Sequence, residues 1–239
     1  MKTITVITFP RSGQHLLIWI LQKYFSKNPE FNEHSPQKVV KAGDFYACQR
    51  GGNNHCDFYP CADLRTTYQA QHLVYSFDGR FDTPIENKSA NYLLQYRNPI
   101  YSVLSLVGYG NEGTVRTPEE YLEIIIDTVF WWRIWVNRWV IPYVSLNASN
   151  RLLVKYEDLV NNPKNTIPKV IKYIEPNEEI DFELLDKVIA NLDICPKHGI
   201  EEYKYYPEQK KLLQVLEKVA EKELDRLHLP KIWEKNETN

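Results

Sequence analysis

Two arginines mark the places where this chain's residue types could do chemistry. Arg11 lies in the run Thr8-Phe9-Pro10-Arg11-Ser12-Gly13-Gln14-His15, between an apolar stretch and the first helical periodicity. A helix start presents unpaired backbone N–H groups and a partial positive charge, so a tight turn there suits a phosphate or sulfate. Gly13 lets backbone approach such an anion closely, and Arg11 adds fixed charge and forked donors. Ser12, Gln14 and His15 can supply side-chain donors. The bland alternative is an ordinary β-to-α turn carrying a surface arginine. The run is not G-x-x-x-x-G-K-[ST], because it lacks the earlier glycine and Gln14 follows Gly13 where lysine is needed, which disfavours ATP chemistry. Arg97 opens Arg97-Asn98-Pro99, with Ser105 eight positions after it. An arginine at a strand end and a serine on the next helix can converge on one anion from two sides. In isolation the same pattern is also met by a salt-bridged arginine beside a capping turn.

These groups need a scaffold, and the hydrophobic pattern predicts one. Thr3 to Phe9 reads as a strand ended by Pro10, and Leu17, Ile20, Leu21 and Tyr24 recur at helical spacing. Residues 27 to 65 are rich in Pro, Asn, Gly and Cys and read as an irregular excursion that covers or lines a site, with Val39-Val40 as a short strand inside it. His72 to Phe77 and Tyr92 to Tyr96 read as strands, the second followed by a helix carrying Val103, Leu104 and Leu106. Thr117-Pro118-Glu119-Glu120 is a helix start with a capping box. The long helix after it places Trp131, Trp135 and Trp139 on one face, a buried core stripe in preference to a carbohydrate-stacking platform. Arg151 to Lys155 reads as another buried strand, Pro163 to Tyr173 as a helix, and Pro207 to Leu227 as a final amphipathic helix. Strands alternating with helices argue for the α/β class, with a central parallel sheet flanked by helices in three layers, as one domain over residues 1–239.

Thr-Phe-Pro-Arg-Ser-Gly resembles the 5′-phosphosulfate loop of sulfotransferases that use 3′-phosphoadenosine-5′-phosphosulfate (PAPS), commonly written T-[YF]-P-[KR]-S-G-[TQ]-[TH]. Arg97-Asn98-Pro99 with Ser105 is similar to that family's 3′-phosphate element. The stretch from Arg151 through Tyr156-Glu157-Asp158-Leu159 resembles its strand ending in Y-E-D-L, and Pro196-Lys197-His198-Gly199 stands where relatives carry R-K-G. The resemblance implies a P-loop-like sulfotransferase fold of bacterial type, in which Arg11 stabilises the bridging oxygen as sulfate leaves. It implies that Ser12, Gly13, Gln14 and His15 hold the 5′-phosphate and Arg97 and Ser105 the 3′-phosphate. Tyr156 is then either an adenine contact or a core tyrosine, and Lys197, His198 and Gly199 close over the 3′-phosphate, with Lys and His standing where the family has Arg and Lys. The product nucleotide would be 3′-phosphoadenosine-5′-phosphate (PAP), and no metal is required, since cationic clamps already answer the charge.

A base must take the acceptor's proton, and relatives carry it at the end of the strand preceding the R-N-P strand. Here that neighbourhood is Tyr75-Ser76-Phe77-Asp78, with Phe77 at the usual histidine place. Asp78 is the first choice and His72 the second, each against the alternative of a surface residue. Phe77 also leaves open a non-catalytic, nucleotide-binding member, and a nucleotide-dependent kinase is the more distant alternative. The acceptor is a hydroxyl or amine on a small molecule or glycan, with Tyr46, Phe58, Tyr59 and Tyr109 available to stack on a ring.

The 239-residue chain is 43% hydrophobic and 25% charged, enough for one sizeable core. Its net charge of -2 gives no global basic field, so nucleic acid is not an expected partner. Ile4 to Phe9 is too short for a signal-peptide core, and no stretch approaches the ~18 apolar residues of a membrane span, so a cytoplasmic protein is expected. The sequons at Asn87, Asn147 and Asn236 would matter only on a secretory route. Cys48, Cys56, Cys61 and Cys195 follow no zinc-ribbon spacing and are expected as reduced thiols, with a disulfide in the trio or a metal site with His55 as alternatives. Oligomeric state is not legible.

Overall fold

The computed structural model describes residues 2, 4–30, 45–47, 68–72, 74–75, 81–82, 89–109, 117–144, 149–191 and 206–233. For the short strands between 45 and 82, and at 108–109, 118 and 206–208, it describes backbone alone. In chain order the elements begin with β1 (Ile4–Thr8), α1 (Gln14–Phe25), β2 (Phe45–Ala47), β3 (Tyr68–His72), β4 (Val74–Tyr75), β5 (Phe81–Asp82) and β6 (Asn91–Tyr96). They continue with α2 (Pro99–Tyr109), α3 (Pro118–Trp139), α4 (Ile141–Val144), β7 (Arg151–Lys155), α5 (Tyr156–Asn161), α6 (Pro163–Ile174), α7 (Phe182–Ala190), α8 (Tyr206–Val219) and α9 (Glu221–Arg226). The chain divides into two compact units: a sheet unit of Met1–Thr8, Gly13–Gln95 and Ala148–Pro196, and a helical unit of Phe9–Ser12, Tyr96–Asn147 and Lys197–Asn239.

In the sheet unit the strand order is β2-β3-β1-β6-β7, and β1 pairs in parallel with both β3 and β6, as β2 does with β3. This is the expected α/β class with a central parallel sheet. All five residues of β1 are buried, so both of its faces are covered, as parallel strands require. On one side Ile4, Val6, Leu93 and Val154 meet Leu17, Leu21 and Tyr24 of α1, Ile167 and Ile171 of α6, and Leu185 and Val188 of α7. Each such buried side chain stabilises by about 1.5–3 kcal/mol relative to exposure. Helix α7 was not foreseen; its start is capped by Asp181, whose carboxylate accepts from the Leu184 N–H at 2.9 Å.

Two expectations in this unit need correction. The excursion after residue 27 contains a sheet strand, β2, while Val39-Val40 lies outside the described residues. The strand expected from His72 to Phe77 is instead β3, which ends at His72, and Val74–Tyr75 pairs antiparallel with β5 in a separate two-stranded sheet. Tyr-Gln-Ala-Gln-His looks polar and carries no β-branched residue, so local propensity hides a strand that pairing with β1 on one side and β2 on the other makes.

The helical unit is built around α3. Its start is the expected capping box: Thr117 Oγ1 accepts from the Glu120 N–H and Glu120 Oε2 from the Thr117 N–H. The buried tryptophans are Trp132, Trp135 and Trp139, whereas Trp131 is only half-buried, so the core face runs at i, i+3, i+7 instead of through Trp131. They pack in a unit with Ile100, Val103 and Leu104 of α2, Leu213 and Leu216 of α8 and Leu224 of α9. The single final helix expected from 207 to 227 is two, broken at Ala220. Glu217 and Glu223 are both buried, yet positions six apart on one helix point about 120° away from each other, so the break lets both turn inward. Arg133 donates to both oxygens of Glu223, and Asn137 to one of them. Burial alone would raise the Glu223 carboxyl; the hydrogen bonds from Arg133 and Asn137 and the Arg133 charge outweigh it and hold the carboxyl below its usual range.

Candidate functional site

The helical unit brings three of the singled-out residues together. Pro10 and Arg11 form the corner of a turn closed by the Ser12 N–H donating to the Phe9 carbonyl at 3.2 Å. Arg11 takes φ +63°, a left-handed position that such a turn normally gives to glycine, so its backbone is strained there. Phe9 anchors the turn, its ring 5.8 Å from that of Trp135. From the corner, Arg11 Nε donates to Ser105 Oγ at 3.0 Å, and the Arg11 carbonyl accepts from Arg97 Nη1 at 3.2 Å. Motifs 86 and 94 positions apart in the sequence thus meet at one turn.

Arg97 is held from several directions. It is buried, its carbonyl accepts from the Trp132 indole at 2.8 Å, and its guanidinium lies 5.6 Å from the Tyr101 ring. The next residue, Asn98, caps α2 by accepting from the Ile100 N–H at 2.8 Å, with Pro99 at the first helical position. Trp132 and Tyr101 were not singled out in the sequence. The signal that could have found Tyr101 is its spacing, one helical turn after Arg97.

The sheet unit carries the other set, at the C-terminal ends of its strands, the edge where open α/β sheets bind ligands. Thr8, His72 and Gln95 are register partners there, so β3 delivers His72 beside the end of β1. His72 is therefore the last residue of β3, level with the last residue of β1. Gly13 takes φ +83° at the cap of α1, a cap that makes no side-chain hydrogen bond, and no acidic residue occupies the first turn. The first N–H groups of this twelve-residue helix thus receive no side-chain acceptor at the cap position. Gln14 is buried, its Oε1 accepts from Thr8 Oγ1 at 2.7 Å, and its Nε2 has no hydrogen-bond partner among the described residues. A buried donor left without an acceptor costs about 1–3 kcal/mol, a cost that a bound acceptor would remove.

Gly13 is required twice over. Apart from its positive φ, a Cβ there would lie 2.5 Å from Cδ2 and 2.7 Å from Cε2 of Tyr156. Tyr156, half-buried at the end of β7, packs its ring on the Gly13 backbone. His15 is exposed on the first turn of α1, its ring 6.3 Å from that of Trp19. Asp78, Phe77, Lys197, His198, Gly199 and all four cysteines lie outside the described residues, as do Phe58 and Tyr59. Among the described residues no three His, Cys, Asp or Glu side chains gather as a metal site, and no helix is long and apolar enough to cross a membrane.

No family model and no curated protein matches the chain. Among solved structures it is similar to mouse sulfotransferase SULT7A1 complexed with PAP, at 13% identity and a TM-score of 0.55, over 90% of this chain and 82% of that one. The chain has the α/β sulfotransferase fold.

Proposed function

We propose that this chain is a sulfotransferase that uses PAPS as donor and delivers the sulfuryl group to a hydroxyl or amine of a small molecule or glycan. The observation that carries the proposal is the meeting of Arg11, Arg97 and Ser105 at one turn, 3.0 and 3.2 Å across the two contacts, in a chain whose overall charge is -2. One turn thus carries the Arg11 guanidinium and is itself held by the Arg97 guanidinium, two fixed cations with forked donors that suit an anion. The uncapped start of α1 and the Gln14 amide fit a second anionic group.

PAPS, when bound, supplies an activated sulfuryl group on a good leaving group. Ser12, Gly13, Gln14 and His15 hold the 5′-phosphate, and Arg97 and Ser105 the 3′-phosphate, joined by Lys197, His198 and Gly199. Arg11 neutralises charge on the bridging oxygen as its bond to sulfur breaks and the acceptor oxygen's bond to sulfur forms. Tyr156 borders the nucleotide from its seat on Gly13. His72, at the end of β3, takes the acceptor's proton, in preference to Asp78. Positioning and cationic clamping supply the rest of the rate, and none of these roles needs a metal. We place the protein in the cytoplasm as one sulfotransferase domain over residues 1–239.

The test is transfer of labelled sulfate from PAPS to a panel of phenolic, amine and glycan acceptors in the presence of EDTA. His72→Gln is expected to lower turnover by about 10²–10⁴ while PAP still binds, as loss of a general base does. Full turnover in that variant would return the proton to Asp78, and binding with no turnover in the unaltered chain would make it a nucleotide-binding module.

A further inference from the structure

We infer that the C-terminal segment from Leu229 to Trp233 is a strap that positions Arg97, with Asn98 and Glu217 as its positioning residues; this rests on the nucleotide reading above. The strap starts at a defined corner. Helix α9 ends with the Leu229 N–H donating to the Leu224 carbonyl and the His228 N–H to the Asp225 carbonyl. Between them His228 takes φ +50°, a left-handed conformation usually left to glycine. The chain therefore reverses at a fixed place and returns toward α2.

Two buried side chains then hold it. Asn98, with no exposed surface, uses both ends of its amide: Oδ1 caps α2 through the Ile100 N–H, and Nδ2 donates to the Pro230 carbonyl at 2.8 Å. The strap's grip on α2 thus falls on the residue that follows Arg97. Glu217, 6% exposed, accepts from the Ile232 N–H at 2.7 Å and from the Trp233 N–H at 3.3 Å. A carboxylate in the last turn of α8 faces that helix's partial negative charge, and burial disfavours it further. The pair of backbone donors helps to offset both, so Glu217 is suited to holding the segment. Lys231 adds ion pairs to Glu221 and Asp225 at the surface.

The consequence is a mutual coupling, because whatever orders Arg97 orders the strap and the reverse. Three forms are compared with the unaltered chain: Glu217→Gln, Asn98→Ser, which keeps a cap but cannot reach Pro230, and a chain ending at Leu229. PAP affinity is expected to fall about tenfold in each, the value of one buried hydrogen bond, while affinity for 5′-AMP, which lacks the 3′-phosphate, stays within about twofold. In the unaltered chain, PAP is expected to slow hydrogen exchange at the Ile232 and Trp233 amides and 5′-AMP to leave it unchanged. That last comparison needs no variant, so it decides the matter even if the truncated chain fails to fold. Tight PAP binding with unchanged exchange at both amides overturns the strap alone. An unaltered chain that prefers 5′-AMP to PAP overturns the nucleotide assignment, and the strap's role with it.

Discussion

The sheet unit and the helical unit treat the polar side chains singled out here in different ways. In the sheet unit the cost sits in an unused donor and a tight contact: Gln14 Nε2 is buried without a partner among the described residues, and Gly13 is pressed against the Tyr156 ring. In the helical unit the charged groups singled out above are tied together, Arg11 to Ser105, Arg97 to the Arg11 carbonyl and through its own carbonyl to the Trp132 indole, and Glu223 to Arg133 and Asn137. The sheet unit holds a buried amide nitrogen at the start of α1, unpaired among the described residues, while the helical unit holds cations that are already braced. Substitutions should therefore separate stability from binding differently in the two.

The largest effect is expected at Gly13→Ala. The new methyl meets the Tyr156 ring at 2.5 Å in a backbone conformation that alanine adopts poorly, so a loss of about 2–4 kcal/mol of stability and of detectable PAP binding is expected. Chemical denaturation checks the first, and Tyr156→Ala in the same chain should recover only the part due to the ring. Next is Glu223→Gln in the helical unit, expected to cost about 2–3 kcal/mol because it leaves Arg133 without its charge partner. The same group gives a pH dependence. Its folded carboxyl is held below the ordinary value of 4.5, so its contribution is present above that pH and is lost as pH falls through the lowered value. Melting temperatures of wild type and Glu223→Gln should therefore converge on acidification below about pH 4.5; a constant gap would contradict this.

The smallest effect is the most diagnostic of the contrast. Thr8→Val together with Gln14→Leu removes the unused donor, its carbonyl and the hydroxyl that donates to that carbonyl, so the chain should keep its stability to within about 1 kcal/mol or gain slightly, while PAP affinity falls about tenfold. A parallel loss of stability and affinity would mean that the amide is structural and that the two units do not differ in this way.

What could be seen in the sequence follows the same division. The turn at Arg11 to Gly13 and the Arg97/Ser105 spacing were legible because each motif's chemistry is local: a cap position, a left-handed glycine, a strand end. The capping box at Thr117 was legible for the same reason. β3 was not, since its glutamines give no apolar alternation and its identity as a strand comes from β1 and β2 on either side. The sequence pattern set that strand's end beside Asp78, whereas β3 ends at His72. Nor could sequence reveal that Trp132 reaches the Arg97 carbonyl or that Asn98 reaches Pro230, contacts spanning 35 and 132 positions. The break at Ala220 was hidden because apolar periodicity continues across it while two buried glutamates demand different faces.

The central claim is that Arg97 and its partners grip a 3′-phosphate, and thermal-shift titration tests it most directly. PAP, ATP and NAD are each added to the unaltered chain and to Arg97→Ala. Selective stabilisation by PAP, lost in Arg97→Ala when each shift is read against that form's own ligand-free melting temperature, is the predicted result. Stabilisation by ATP or NAD in preference to PAP, or a PAP response that survives the substitution, would contradict it.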